Sequence, residues 1–341
     1  MDFLDDLHLA ELAPIAWLQS WPDAVRPIME LISFFGTNAF FLLVLPILYW
    51  CVNPALALRL GLTVLAAAGT NAVGKLAFHQ PRPYWIDPQI HAFAAERSFG
   101  LPSGHAQTGT AALGRLAVAA ARPWAWWAAG AGVALVCLSR VYLGVHFISD
   151  VVAGVALGAA VLVLVVRLER PATAWWRRQA LWAQLGLSLA VSGVLPVAAV
   201  LAALPYGDWV VPPAWSAAGE IDPESMDTVV LMSGVLFGTL AGTSVMYRIG
   251  WFDPGGPLRL RIGRWVLGTG VAVLIWYAER EVLPEAEVST YLAYAVLALW
   301  VQLGAPVLFI RLRLMEPAGR ARGAETVEAR GGAGGEHGRG H

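Results

Sequence analysis

Nine stretches of the chain stay apolar long enough to cross a bilayer: 28–51, 55–78, 103–121, 124–143, 146–167, 180–204, 228–247, 265–281 and 289–311. A helix of about 20 apolar residues covers a hydrocarbon core of about 30 Å. The pattern therefore predicts an all-α integral membrane protein with about nine transmembrane helices. Ahead of them, residues 1–27 mix apolar and acidic positions at helical spacing (FLDDLHLAELAPIAWLQSW), as in a helix lying on the membrane; His8 is one of its polar positions. Residues 28–178 form a predicted core, and 179–313 hold additional transmembrane helices. Residues 314–341, rich in Gly, Arg and Glu and including His337 and His341, read as a disordered tail.

The charges sort by side. Connections carrying Arg59, Arg122, Arg167, Arg177, Arg248 and Arg261 alternate with acidic ones carrying Glu220, Asp222, Glu224, Asp227, Glu285 and Glu287. Arginine accumulates in cytoplasmic loops. Nine spans then put the N-terminus outside and the C-terminus in the cytoplasm without a single reversal. Arg115 falls inside the third span, near its cytoplasmic end, where snorkelling could carry its guanidinium to the interface.

Composition agrees with lipid as the solvent. Charged residues make up 14% of the chain, against about 25% in soluble domains, and mean hydropathy is +0.60. The 16 tryptophans suit membrane interfaces. A net charge of −1 gives no reason to expect a nucleic-acid partner. Cys51 and Cys137 lie in apolar stretches and read as small buried hydrophobes rather than a disulfide. The acidic N-terminus does not look like a cleavable signal. Against 22 arginines there is one lysine, Lys75, so that residue calls for an explanation.

Three polar motifs interrupt the apolar pattern, all at the outer ends of spans two to five. They are Lys75-x6-Arg82-Pro83, Pro102-Ser103-Gly104-His105, and Ser139-Arg140-x5-His146-x3-Asp150. Ionisable groups at membrane depth are costly and usually functional. In this order, with all eleven specified residues present, the motifs closely resemble the signature of the type 2 phosphatidic acid phosphatase superfamily. That superfamily also includes glucose-6-phosphatases and soluble vanadium haloperoxidases. The resemblance covers 75–150 directly and implies a five- to six-helix phosphatase core with a C-terminal helical extension. It also implies a phosphohistidine intermediate.

Each motif residue has a physical rationale. His146 and Asp150 are four apart, so one carboxylate can hold one ring nitrogen and leave the other free as nucleophile. Ser103 and Gly104 open a helix, whose free N–H groups attract an anion. His105 is placed to protonate a leaving alkoxide. Lys75, Arg82 and Arg140 supply the charge a phosphoryl transition state needs, and they do the work of a Mg²⁺, so no metal and no cofactor is expected. Pro81 and Pro83 hold Arg82 in extended backbone. Taken singly, each motif also fits ordinary helix caps and headgroup anchors. His79, Asp87, His91, Glu96 and Arg97 could shape substrate choice, but read rather as ordinary loop polars. The loop 205–227, with Trp209 and Trp215, reads equally as a lid or as an interfacial anchor.

The expected partners are membrane lipids and a lipid phosphate substrate such as undecaprenyl diphosphate, phosphatidic acid or phosphatidylglycerol phosphate, reached from the extracytoplasmic face of a bacterial inner membrane. The stretch HQPRPYW, nine spans and an outside N-terminus also resemble glucose-6-phosphatase, which would make the substrate a sugar phosphate. Further alternatives are a lipid phosphotransferase using the same site and a non-catalytic phosphate-binding transporter. Oligomeric state is not legible.

Overall fold

Short polar residues and prolines punctuate the apolar stretches, and several of these interruptions become helix boundaries. The Thr37 hydroxyl accepts the Phe40 N–H at 3.2 Å, and the Asn53 side chain accepts the Leu56 N–H at 3.0 Å, with Pro54 in the first helical position. The computed structural model describes residues 3–94, 96–282, 284 and 286–318. The expected tail beyond 318 and the expected loop residue Glu285 lie outside them.

The helices in chain order are α1 (Phe3–Gln19), α2 (Arg26–Phe34), α3 (Asn38–Cys51), α4 (Pro54–Phe78) and the single turn α5 (Pro83–Ile86). Then come α6 (Gly104–Ala120), α7 (Pro123–Tyr142), α8 (Ile148–Arg178) and α9 (Leu181–Ala203). The C-terminal part holds α10 (Asp227–Arg248), α11 (Leu258–Val282) and α12 (Glu287–Leu299). A π-helical turn over 300–304 leads from α12 into α13 (Ala305–Arg311). Among the described residues, extended pairing is limited to Phe252–Asp253 against Glu316–Pro317.

The protein is thus an all-α membrane protein. Among the described residues, six helical stretches are long and apolar enough to cross a bilayer: 54–86, 123–142, 148–178, 181–206, 227–248 and 287–311. A seventh appears if the pair 23–34 and 39–51, bent by 48°, counts as one span. The nine apolar stretches are each largely helical, but length and apolarity support only six or seven as spans. α6 has 17 residues, several of them Gly, Gln or Thr. α11 carries Arg259, Arg261 and Arg264 near its start and Glu279, Arg280 and Glu281 at its end, which leaves too short an uncharged run between. The expected span 28–51 is interrupted by a turn at 35–37.

α6 lies among α4, α7 and α8. Gly154 and Gly158 of α8 make the closest approach possible. A Cβ at Gly154 would come within 2.6 Å of the Ser103 carbonyl oxygen, and one at Gly158 would strike the Gln107 carbonyl oxygen. Without a hydrophobic force between helices in lipid, small residues that let backbones touch are what permit such packing. Buried amides fasten the other side: the Asn71 amide nitrogen donates to Pro102 O at 3.1 Å and to Gln107 Oε1 at 2.9 Å. Arg115 does not snorkel. It is buried and paired with Glu169 of α8, which also takes Arg59 at 2.6 Å.

The helix expected to float on the membrane has a protein-facing side. α1 exposes Phe3, Leu9 and Trp17 but buries His8, Glu11, Ile15 and Leu18. His8 stacks on Phe147 with ring centroids 4.1 Å apart, and burial lowers its pKa, partly opposed by Asp5. The Glu11 carboxylate accepts the Ser149 N–H at 3.1 Å, at the N-terminus of α8, a favourable place for a negative charge. Trp124, Trp126, Trp127, Trp175 and Trp182 are exposed, and in sequence they flank Arg122, Arg177 and Arg178, as interfacial tryptophans do. Cys51 and Cys137 are both free.

Candidate active site

Four helix ends meet on one face: the C-terminal ends of α4 and α7 and the N-terminal ends of α6 and α8. This follows from up-and-down connectivity, which brings alternate ends of successive helices to the same side. Arg82 sits between the turns in extended backbone (φ −107°, ψ 156°), as its flanking prolines require. Fully buried, it uses all five of its N–H donors. Nε gives to Ser98 O (2.6 Å), Nη2 to Ser98 Oγ (3.2 Å) and Phe99 O (3.1 Å), and Nη1 to Val145 O (2.9 Å) and His146 Nε2 (3.4 Å). One guanidinium therefore ties the first motif to the approach to the second and to the third. Lys75 Nζ donates to the same Ser98 hydroxyl at 2.8 Å.

His146 precedes α8 rather than lying in its first turn, and Phe147 is the N-cap. The side chains still meet: His146 Nδ1 is 3.2 Å from Asp150 Oδ2, which also accepts the Phe147 N–H at 3.0 Å. A guanidinium can only donate. Arg82 Nη1 therefore faces a lone pair on Nε2, and the ring proton sits on Nδ1 towards Asp150. The geometry fixes the tautomer, with Nε2 unprotonated beside three cationic side chains.

Ser103 caps α6, and its N–H donates to the Asp150 carbonyl at 3.0 Å, which locks the openings of α6 and α8 together. His105 lies beneath the turn between α2 and α3, and a Cβ at Gly36 would come within 2.8 Å of its Cδ2. Arg140 donates from Nη1 to Ser33 Oγ at 2.7 Å and from Nη2 to Glu96 Oε1 at 2.6 Å. Four buried polar atoms around this point have no partner among the described residues: Ser103 Oγ, His105 Nε2, Arg140 Nε and Asp150 Oδ1. An unpaired buried polar atom costs about 1–3 kcal/mol. Such a cluster marks a place built for a polar ligand, and its donors and cations select an anion.

Sequence reasoning placed Lys75, Arg82, Ser103, Gly104, His105, Arg140, His146 and Asp150 here, and the structure brings them to one face. It missed Glu96, Ser98 and Ser33. Glu96 was read as a loop polar, yet its carboxylate bonds Arg140 and lies 3.9 Å from Arg82. Burial alone would raise its pKa, but Arg82, Arg140, Lys75 and His105 outweigh burial and hold it at about 2. A carboxylate between two motifs of opposite charge was the available signal. Ser98 and Ser33 gave none.

The loop 205–227 packs over the motif turns. Tyr206 stacks on His79 at 3.7 Å and donates to Ala77 O at 3.0 Å. Trp215 is buried against Trp85 (5.3 Å), and Trp209 meets Phe99 (5.3 Å). His79 Nε2 lies 3.2 Å from Glu224, and Arg97 pairs with Glu220 at 3.0 Å.

Residues 56–174 match the family described as the PAP2 superfamily, and residues 230–318 match the one described as PAP2 superfamily phosphatase, transmembrane extension. Among curated proteins, the chain is 30% identical over 137 residues to sphingosine-1-phosphate phosphatase 2 of Homo sapiens, covering 38% of this chain and 34% of that one. It is 34% identical over 118 residues to phosphatidylglycerophosphatase B of Bacillus subtilis strain 168, covering 31% and 56% respectively. It is 30% identical over 118 residues to undecaprenyl-diphosphatase of Sulfolobus acidocaldarius, covering 33% and 55%. The chain thus spans between about a third and somewhat over half the length of these relatives.

Proposed function

The chain belongs to the PAP2 superfamily, and on that premise we propose that it is a membrane phosphatase hydrolysing a lipid phosphate or diphosphate through a phosphohistidine. One observation carries the reading: His146 Nε2 is held unprotonated between Asp150 and Arg82, facing a cluster of cations and partnerless polar atoms.

His146 Nε2 attacks the phosphorus of the bound ester. The N–P bond forms as the bond to the lipid oxygen breaks, and His105 gives that oxygen its proton. Water then attacks the phosphorus, the P–N bond breaks, and His105 recovers a proton from the water. Asp150 holds the imidazole and offsets the positive charge it gains. Lys75, Arg140, the unpartnered Ser103 hydroxyl and the Gly104 N–H opening α6 hold the phosphoryl oxygens. Arg82 contributes chiefly charge and placement, since its donors are engaged.

In the finer topology, α2–α3, α4, α6, α7, α8, α9, α10, α11 and α12–α13 make nine spans, α6 being shielded by its neighbours. Residues 28–178 form the phosphatase core, 179–313 the extension, and the cradle faces the extracytoplasmic side of a bacterial inner membrane. The basic connections at the opposite end support this orientation.

The decisive experiment is phosphate release by purified protein from undecaprenyl diphosphate, phosphatidic acid, phosphatidylglycerol phosphate, sphingosine 1-phosphate and glucose 6-phosphate. Turnover of a lipid and inhibition by orthovanadate are expected. Release from glucose 6-phosphate alone would replace the lipid with a sugar, and release from none would end the reading.

A further inference from the structure

Glu96 does not fit the roles assigned so far. A carboxylate opposes phosphate binding, yet this one lies in the anion cradle with Oε1 2.6 Å from Arg140 Nη2 and Oε2 3.9 Å from Arg82 Nη2. A carboxylate has two anionic oxygens in a plane, so its contacting atoms stand in for two oxygens of a phosphoryl group. We infer that Glu96 is an internal counter-anion, seated on the Arg140 guanidinium until the substrate phosphate displaces it, and is therefore the residue that sets the site's threshold for anions. The inference rests on the cradle being a phosphate site, as proposed above.

Three features support displacement rather than a permanent ion pair. The Glu96 backbone is pinned, since the Tyr84 hydroxyl donates to its carbonyl at 2.8 Å and accepts its N–H at 3.1 Å. Only the side chain has to swing, with no loop opening. That side chain is 30% exposed, whereas those of Arg140 and Arg82 are 2% and 0% exposed, so the carboxylate has a route to water and the cations do not. Arg140 Nε, His105 Nε2 and Ser103 Oγ remain without partners while Glu96 is seated. A carboxylate fills one guanidinium edge and leaves these donors unmet. A tetrahedral phosphate, with more oxygens and close to two negative charges, can meet them.

The chemistry gives the arrangement a use. Around a site at the membrane surface, phosphodiester headgroups are abundant, and each carries one negative charge, the same as the carboxylate it would replace. Exchange with Glu96 then yields little, so diesters leave the cradle in its resting state. A terminal phosphate brings a further charge to three cations and drives the exchange. After hydrolysis, Glu96 competes with product phosphate and promotes its departure.

The test compares wild type with Glu96→Gln and Glu96→Asp, as purified full-length protein in mixed micelles. It uses the panel substrate that wild type turns over best, with orthophosphate and phosphatidylglycerol as inhibitors. Glutamine keeps the shape and removes the charge. KM and both inhibition constants should fall about tenfold, the worth of one charge-assisted hydrogen bond, and phosphatidylglycerol should become a measurable competitor. Aspartate, too short to reach Arg140 fully, should fall between. Tighter binding cannot come from misfolding. Constants that rise in Glu96→Gln would make Glu96 a fixed support for Arg140, and unchanged constants would place it outside the anion's path; either overturns the inference. A wild type with no turnover would instead indict the phosphatase reading itself.

Discussion

At His146 the identity of two neighbours decides where one proton sits. Arg82 can only donate and Asp150 can accept, so Nδ1 is protonated and Nε2 keeps its lone pair. Asp150→Asn should keep the shape but allow the wrong tautomer. We expect kcat to fall about 10²–10⁴-fold, by analogy with the orienting carboxylate of hydrolytic triads, and steady-state kinetics measures it. His146→Ala should abolish both turnover and any acid-labile phosphoenzyme trapped with ³²P-labelled substrate, while the melting temperature stays within a few degrees. A surviving phosphoenzyme would move the nucleophile elsewhere. The residues legible in advance were those whose spacing is fixed by a helix or a proline: His146 with Asp150, Arg82 between Pro81 and Pro83, Ser103 at a helix start. Ser98 and Glu96 act from a loop, where spacing says nothing about direction, and only the fold shows that both reach the same guanidinium.

Among the helices, the junction of α6 and α8 governs the shape of the cradle, since it aligns Ser103 with Asp150. Gly158→Leu drives a side chain into the Gln107 carbonyl. Such overpacking costs about 1–3 kcal/mol and should lower the melting temperature in detergent; an unchanged melting temperature would mean the two helices are free to separate. Element positions were readable from apolar runs because lipid demands continuous stretches. The break at 35–37 was not, because Phe34 and Phe35 run into the turn and Phe40 and Phe41 follow it. Nor was the fate of Arg115, because pairing it with Glu169 needs knowledge of which helices are neighbours.

For the molecule as a whole, membrane orientation is the open quantity with a direct test. In a background carrying Cys51→Ser and Cys137→Ser, an Asp222→Cys variant should react with an impermeant maleimide on intact cells. An Arg178→Cys variant should react only after permeabilisation. The reverse pattern would put the cradle on the cytoplasmic side. Alternating charge assigns the two sides from sequence, and the labelling pattern tests that assignment. The contact between the extension and the site was not legible there, because Trp209 and Trp215 suit a lipid interface as well as they suit the aromatic wall they form with Trp85 and Phe99.

The bond from Glu11 to Ser149 joins positions 138 residues apart, and it bears on how the protein is made. α1 cannot complete this docking until the start of α8 has been synthesised. Its buried histidine and glutamate must wait at the bilayer surface while the intervening helices are made. The insertion of α3 to α7 does not depend on this docking, so a change in α1 would disturb the later step and leave the earlier one intact.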